Sequence, residues 1–227
     1  MSEVFAEAPD DKVARKGPRT ATRIREAALE LFSRLGFERT TMADIAAEAG
    51  VSQPALHYHF TDKADLWRAA MLHLSAAIEE ESRPYQLPAS TPPEVQLRAA
   101  MERFLDISWK HPALGRIVAI EGMAGGERLE WLDRHLIGPR NRGLVALAQA
   151  AIDSGALKPF PAPLLLITLQ TAGVGVVNLA PMMRLSFGYD PSTPQARDDH
   201  ARLVVDALLG GLLTHPAPDN DKTGGTP

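Results

Sequence analysis

Apolar residues recur at steps of three and four along most of this chain. Ile24, Ala27, Ala28, Leu31, Phe32 and Leu35 form one face of a helix from about residue 20 to 35, which Gly36 is placed to stop. Thr41-Met-Ala-Asp44 has the form of a capping box: the threonine hydroxyl accepts from the amide three residues on, and the aspartate reaches back. A second helix is therefore predicted there, with Ile45, Ala46 and Ala49 turned inward. Gly50 supplies the positive φ of a sharp turn, Val51 plugs a small core, and Ser52 caps a third helix that tolerates Pro54 in its first turn. Thr61 is placed to cap a fourth, long helix running to about Ser82. Prolines at 84, 88, 92 and 93 mark a break, after which helical patterns resume over 93–111, 113–124, 127–136, 140–154, 162–183 and 194–213. No convincing strand alternation and no internal repeat is found, so the predicted fold class is all-α.

This pattern divides the chain into four parts. Residues 1–18 are polar, charged and end in Gly17-Pro18, which predicts a disordered arm. Residues 19–65 hold the helix–turn–helix, 66–214 a larger helical domain, and 215–227 a polar, flexible tail.

Composition changes the picture in three places. The chain has no cysteine among its 227 residues, which excludes disulfides, zinc–thiolate sites and thiol nucleophiles and fits a reducing cytoplasm. The N-terminal MSEVFAEAPDDK lacks the basic-then-apolar layout of a signal peptide, so a cytoplasmic location is expected. The net charge of −4 argues against DNA binding until its distribution is read: residues 12–39 carry eight bases against three acids, just ahead of the predicted turn. A solvated helix face would carry the same charges. From Pro159 to Met183 no residue is charged, but Gln170, Asn178 and the prolines at 159, 161, 163 and 181 favour a buried helix at a subunit interface over a membrane span.

The third predicted helix has the chemistry of a DNA reader. A glutamine at its start, Gln53, suits bidentate pairing with adenine, and Ala55 is small enough to approach a thymine methyl. Tyr58 and His59 carry hydrogen-bonding tips suited to phosphates. Thr40 and Thr41 sit at a helix N-terminus, which suits an anion, and Lys63 opens the next helix. His57 and His59 lie two apart and point to different faces, so no metal site is expected.

In Thr40-Thr41, Ile45-Ala46, Ala49-Gly50-Val51-Ser52, Leu56, Tyr58-His59-Phe60, Lys63 and Leu66, together with the upstream AALELFSRLGFERTT, the chain resembles the TetR/AcrR family of bacterial regulators over about residues 20–70. The resemblance implies a three-helix DNA-binding domain joined by a long fourth helix to a helical ligand-binding and dimerisation domain. It implies a homodimer on a palindromic double-stranded DNA operator, usually a repressor released by a small-molecule effector. By motif position it assigns DNA contacts to Thr41, Gln53, Tyr58, His59 and Lys63, and the local chemistry adds Arg19, Thr40, Ser52, Ala55 and His57. Position 57 departs from the family, which often has tyrosine there; a histidine makes any phosphate bond more pH-sensitive.

The remainder offers two further sets. An effector cavity needs apolar walls and a few placed polar groups, and Trp109, Glu121, Met123, Trp131, Gln170 and Asn178 are the residues proposed to line one, with His111, His135, Met182 and Met183 as further possibilities. The alternative for each is ordinary core packing, or exposure for Glu121. Gly173 and Gly175 remove side-chain bulk, and Leu203, Val204, Leu208 and Leu212 make an apolar stripe; two such helices from each subunit would form a four-helix interface. Here the alternative is that the glycines relieve packing inside one subunit. No nucleophile elbow, phosphate loop or metal-ligand cluster is present, so neither an enzyme nor a cofactor is expected. The rival readings are a DNA-binding regulator without a small ligand and an activator.

Overall fold

A computed structural model of the chain describes residues 11–82 and 87–214; its regular structure there is helical, with one isolated bridge between Leu157 and Leu213. The residues divide into two compact units, up to Glu81 and from Ser82 onward.

The first unit contains α1 (Asp11–Leu35), α2 (Met42–Glu48), α3 (Gln53–His59) and α4 (Lys63–Ser82). Ile24, Ala28, Phe32, Ile45 and Leu56 are buried as the spacing predicts. The Thr41–Asp44 capping box forms, and Gly50 takes the left-handed φ of +62°. Two expectations are corrected. Helix α1 begins at Asp11 and runs through Pro18, so the arm drawn over 1–18 is helical from residue 11, while residues 1–10 and the tail from 215 lie outside the described residues. Asp62 rather than Thr61 caps α4: its Oδ1 accepts from the Asp65 amide at 2.7 Å, and the Asp65 carboxylate accepts from the Thr61 amide at 3.0 Å. A carboxylate outcompetes a hydroxyl at the positive end of a helix. Nearly all of α4 belongs to this unit: Leu66, Trp67, Ala70 and Met71 are buried along it, and Trp67 meets Phe37 edge-on.

The second unit contains α5 (Pro93–Lys110), α6 (Pro112–Ala124), α7 (Glu127–Leu132), α8 (Gly138–Asp153), α9 (Ala162–Asn178), α10 (Ala180–Phe187) and α11 (Pro194–Arg202). Its core is built from Leu97, Met101 and Leu105 of α5, Ala148 and Ala151 of α8, Leu165, Leu166 and Leu169 of α9, and Val204, Val205 and Leu209 beyond α11.

The helix expected over 162–183 is broken. Pro181 has no amide to donate and its ring disfavours a continuous helix, so the chain bends by 67° between α9 and α10. Conversely, the gap expected between 136 and 140 is bridged by a wide π-turn, Asp133–Ile137, closed by the Gly138 amide on the Asp133 carbonyl. A Cβ at Gly138 would collide with that carbonyl, so glycine is required by close approach. Similarly, the last helix widens after Arg202 into π-turns over Leu203–Leu209. Its end is fastened back to the loop before α9 by the Lys158 amide on the Leu212 carbonyl at 2.9 Å and the Thr214 amide on the Ala156 carbonyl at 3.0 Å. Among the described residues no single helix is long and apolar enough to cross a membrane, and α9 with α10 passes that test only as the bent pair.

One buried histidine gives the second unit a pH dependence. His200 is 6 % exposed, its Nε2 faces the Ala172 carbonyl at 3.2 Å, and Trp109 packs edge-on against its ring. Burial holds its pKa below the ordinary 6.5, opposed by that hydrogen bond. The unfolded state therefore takes up the proton first, and stability, fully present above 6.5, falls as the pH drops below it. His73 in the first unit acts in the same direction, lowered by desolvation and by Arg25. Urea unfolding at pH 7.5 and 5.5 is expected to show a smaller loss in His200→Gln than in the wild type; equal losses would contradict this assignment.

Candidate DNA interface

Helix α3 owes its place to the residues on either side. Ser52 caps it, with Oγ accepting from the Ala55 amide at 3.3 Å, and Leu56 and Phe60 anchor its inner face. That leaves Gln53, His57 and Tyr58 pointing to solvent, Tyr58 at 86 % exposure, and His59 half-buried with its ring 5.2 Å from that of Tyr58. A large aromatic phenol held almost wholly in water on a seven-residue helix has no folding role there. Together with a glutamine at the N-terminal end it makes a surface of hydrogen-bonding tips of the kind that reads base edges and phosphates in a major groove. Ser52 and Ala55 lie on the same short segment, exposed and half-buried respectively, and Arg19 is exposed on α1.

Other expected contacts are already engaged. Thr40 is fully buried and its hydroxyl donates to the Gly36 carbonyl at 2.8 Å, so it is turned inward. The Thr41 hydroxyl accepts from the Asp44 amide at 3.1 Å and donates to the Asp44 carboxylate at 2.6 Å. The Asp44 carboxylate also accepts from the Thr41 amide at 3.1 Å; the hydroxyl bond first and this backbone bond second hold the Asp44 pKa below its ordinary value, and the carboxylate occupies the helix end that an anion would use. Lys63 extends its ammonium to the carbonyls of Phe37 at 2.8 Å and Thr40 at 3.0 Å. Arg23, one of the eight bases in residues 12–39 and without a motif of its own, donates to the carbonyls of Ala49 and Gly50 just past the end of α2. No group of three or more His, Asp or Glu is placed to hold a metal among the described residues.

Among the described residues the proposed effector residues have different surroundings. Glu121 is 2 % exposed but accepts from Arg128 Nε at 2.9 and 3.0 Å, so its charge is met inside the chain. Met123 is 84 % exposed, and Trp131 packs on His135 with ring centres 4.8 Å apart. Gln170 donates to Asn141 of α8 at 3.1 Å. Asn178 Oδ1 is buried without a hydrogen-bond partner, beside Gly115 of α6. Trp109 Nε1 is likewise unpartnered, and the residue lines a cleft of about 280 Å³ with Glu102, Asp106, Arg197 and Asp198.

The proposed interface residues also separate. Gly173 is taken up by the chain's own core: a Cβ there would fall 2.9 Å from Leu105 and 3.0 Å from Phe104. Val204 is buried in the same core, and Leu212 is packed partly against it. Gly175, in contrast, has open space beside it, and Leu203 and Leu208 are exposed.

Comparison with known proteins bears on both units. Residues 24–70 match the family model for bacterial regulatory proteins of the tetR family, and residues 93–208 match that for a tetracyclin repressor-like C-terminal domain. The HTH-type transcriptional regulator TtgR of Pseudomonas putida is 42 % identical over 69 residues, 27 % of this chain and 33 % of that one. The HTH-type transcriptional repressor NicS of the same species is 26 % identical over 146 residues, 64 % of this chain and 63 % of that one. The match to the first of these thus spans a third of its length. The ketosteroid transcriptional regulator KstR2 of Mycobacterium tuberculosis has the same fold, with a TM-score of 0.67 at 18 % identity over 86 % of this chain and 95 % of that one.

Proposed function

The chain belongs to the TetR family of bacterial transcriptional regulators, and we propose that it is a cytoplasmic homodimer that represses by binding a palindromic operator and is released by a small-molecule effector. The observation that carries the DNA-binding part is the capped, solvent-facing α3 with Gln53 at its start and Tyr58 at 86 % exposure. TtgR and NicS, which it resembles, are named as transcriptional regulators, which supports a regulator over an enzyme.

The dimer is supported by an uncharged stripe. Leu164, Ile167, Thr171 and Gly175 follow one another at three- and four-residue steps along α9, with Leu164 and Ile167 more than half exposed, and past the bend Leu179, Met182 and Leu185 are exposed as well. Contiguous exposed leucine and isoleucine of this kind mark a protein interface. The open position at Gly175 lets a second helix approach closely. Effector binding is supported by buried polar atoms of the second unit without a hydrogen-bond partner, among them Trp109 Nε1 and Asn178 Oδ1, since an unpaired buried polar atom is stabilised by whatever supplies its hydrogen bond. A ligand in the second unit would act through α4, the helix that leads to it, by changing the spacing of two recognition helices that must enter grooves about 34 Å apart.

The test is binding of the purified protein to the DNA flanking its own gene, against random duplex, at several salt concentrations. A footprinted palindrome at tight affinity is the expected result, while weak, equally salt-sensitive binding to both DNAs would count against a specific operator there. In the same assay Gln53→Ala is expected to relax preference at one position per half-site by roughly 1–3 kcal/mol and to leave random DNA unaffected. Equal losses on both DNAs would remove Gln53 from base reading.

A further inference from the structure

Helix α2 is only seven residues long, too short to hold its shape or place unaided, yet it sets the entry of α3. Both of its ends are gripped by cations from neighbouring helices. At the leading end Lys63, the first residue of α4, reaches back across the sequence to the loop before α2. Its ammonium lies 2.8 Å from the Phe37 carbonyl, 3.0 Å from that of Thr40 and 3.4 Å from that of Glu38. It also sits 4.3 Å above the Phe37 ring, which stacks on Phe32 at 5.7 Å and meets Trp67 edge-on at 6.5 Å. An ammonium has three N–H donors, and three carbonyls face this one. At the trailing end Arg23 of α1 donates through Nη2 to the carbonyls of Ala49 and Gly50. Ala49 is the C-cap of α2, so its carbonyl is one of those the helix leaves unsatisfied at the negative end of its dipole, and Gly50 follows it in the turn. The fit there is close, since a Cβ at Gly50 would lie 3.1 Å from the same nitrogen.

We infer that Lys63 and Arg23 are positioning residues, a two-ended clamp that fixes α2 and thereby the base-reading edge of α3, rather than phosphate contacts. The inference rests on the DNA-binding reading, and it separates from a phosphate role because the two act on different observables. A cation that neutralises a phosphate releases counterions, so its removal weakens binding to every sequence and flattens the salt dependence by about 0.9 per contact. A clamp residue carries no counterion. Its loss misplaces Gln53 and Tyr58, lowers affinity for the specific site, and leaves both the salt slope and the binding to random DNA as they were.

The experiment compares wild type, Lys63→Met, Lys63→Gln and Arg23→Met. The DNA probes are a duplex enriched by the wild-type protein from a random-sequence pool and calf-thymus DNA, and helix content is checked by circular dichroism. The expected result is a loss of about ten- to a hundred-fold on the enriched duplex for both methionine variants, with an unchanged slope and calf-thymus binding within about twofold. Lys63→Gln, which keeps a donor and loses the charge, is expected to fall between. A parallel loss on both DNAs with a flatter slope would make the residue a phosphate contact and overturn the clamp. So would wild-type affinity in either methionine variant.

Amide hydrogen exchange without DNA tests the same idea independently of any binding. The Gly50 and Val51 amides, bonded to the Ala47 and Ala46 carbonyls at 3.1 and 3.0 Å, are expected to lose protection in Arg23→Met, and the Thr40 amide in Lys63→Met. Unchanged protection in folded variants would sink the clamp even if the DNA-binding reading stands, and loss of protection in a protein that binds no duplex would leave the clamp intact while that reading falls.

Discussion

Replacing Arg128 by methionine is expected to destabilise the second unit by about 3–5 kcal/mol, the usual cost of leaving one partner of a buried ion pair uncompensated. Glu121 lies near the end of α6 and is 2 % exposed, with both carboxylate oxygens held by Arg128 Nε at 2.9 and 3.0 Å. Arg128 reaches it because Gly125 and Gly126, with φ of +70° and +82°, fold the chain back between α6 and α7. Without the guanidinium a carboxylate only 2 % exposed is left with no other cation at salt-bridge distance among the described residues. Because the Arg128 side chain is itself 30 % exposed, the loss should sit toward the lower end of that range. The double change Glu121→Leu with Arg128→Met removes the charge along with its partner and is expected to recover most of the loss. Urea unfolding followed through the emission of Trp109 and Trp131, which both belong to this unit, would measure it. A single-variant loss below about 1 kcal/mol would mean that the pair behaves as a solvated surface pair.

The second large effect is expected at Ile167→Glu. Ile167 is 56 % exposed in the middle of the uncharged face of α9, between Leu164 and Thr171, so a glutamate there costs the isolated subunit little. In a symmetric dimer the same change places two carboxylates across an apolar contact, where desolvation and like charge act together. The variant should sediment as a monomer at concentrations where the wild type is a dimer. Its affinity for a full palindrome should fall by about 10²–10⁴-fold, the advantage that linking two half-site contacts confers, with half-site binding unchanged. Retention of the dimer would move the interface off this face of α9, and a monomeric wild type would remove the homodimer from the proposed function.

The recognition unit was legible in the sequence because its determinants are local. Thr41 and Asp44 are three residues apart, Ser52 and Ala55 likewise, and Gly50 carries its own backbone requirement; each fixes geometry within one helical turn. The roles that could not be read are those set by contacts between distant segments. Lys63 occupies a position that motif resemblance assigns to DNA, yet its long side chain spends its donors on carbonyls 23 to 26 residues earlier. Arg23 is indistinguishable in sequence from its basic neighbours until α2 is seen to end beside it. Pro181, at the bend into α10, lies within an uncharged apolar run that periodicity alone reads as one helix.

Sequence alone therefore determined that this chain is all-helical, that a capped helix–turn–helix stands near its start, and that an uncharged helix follows late, since these depend on periodicity, capping and charge within a few residues. Tertiary structure alone decided which side of each helix has neighbours. Gly173 and Gly175 are two residues apart and identical in type, yet one is filled by Phe104 and Leu105 and the other faces open space. Glu121 follows an apolar run, and its meaning depends on whether Arg128 folds back over it. Periodicity marks a helix's apolar face, but only the packing of the other helices decides whether that face meets its own core, a second copy or water.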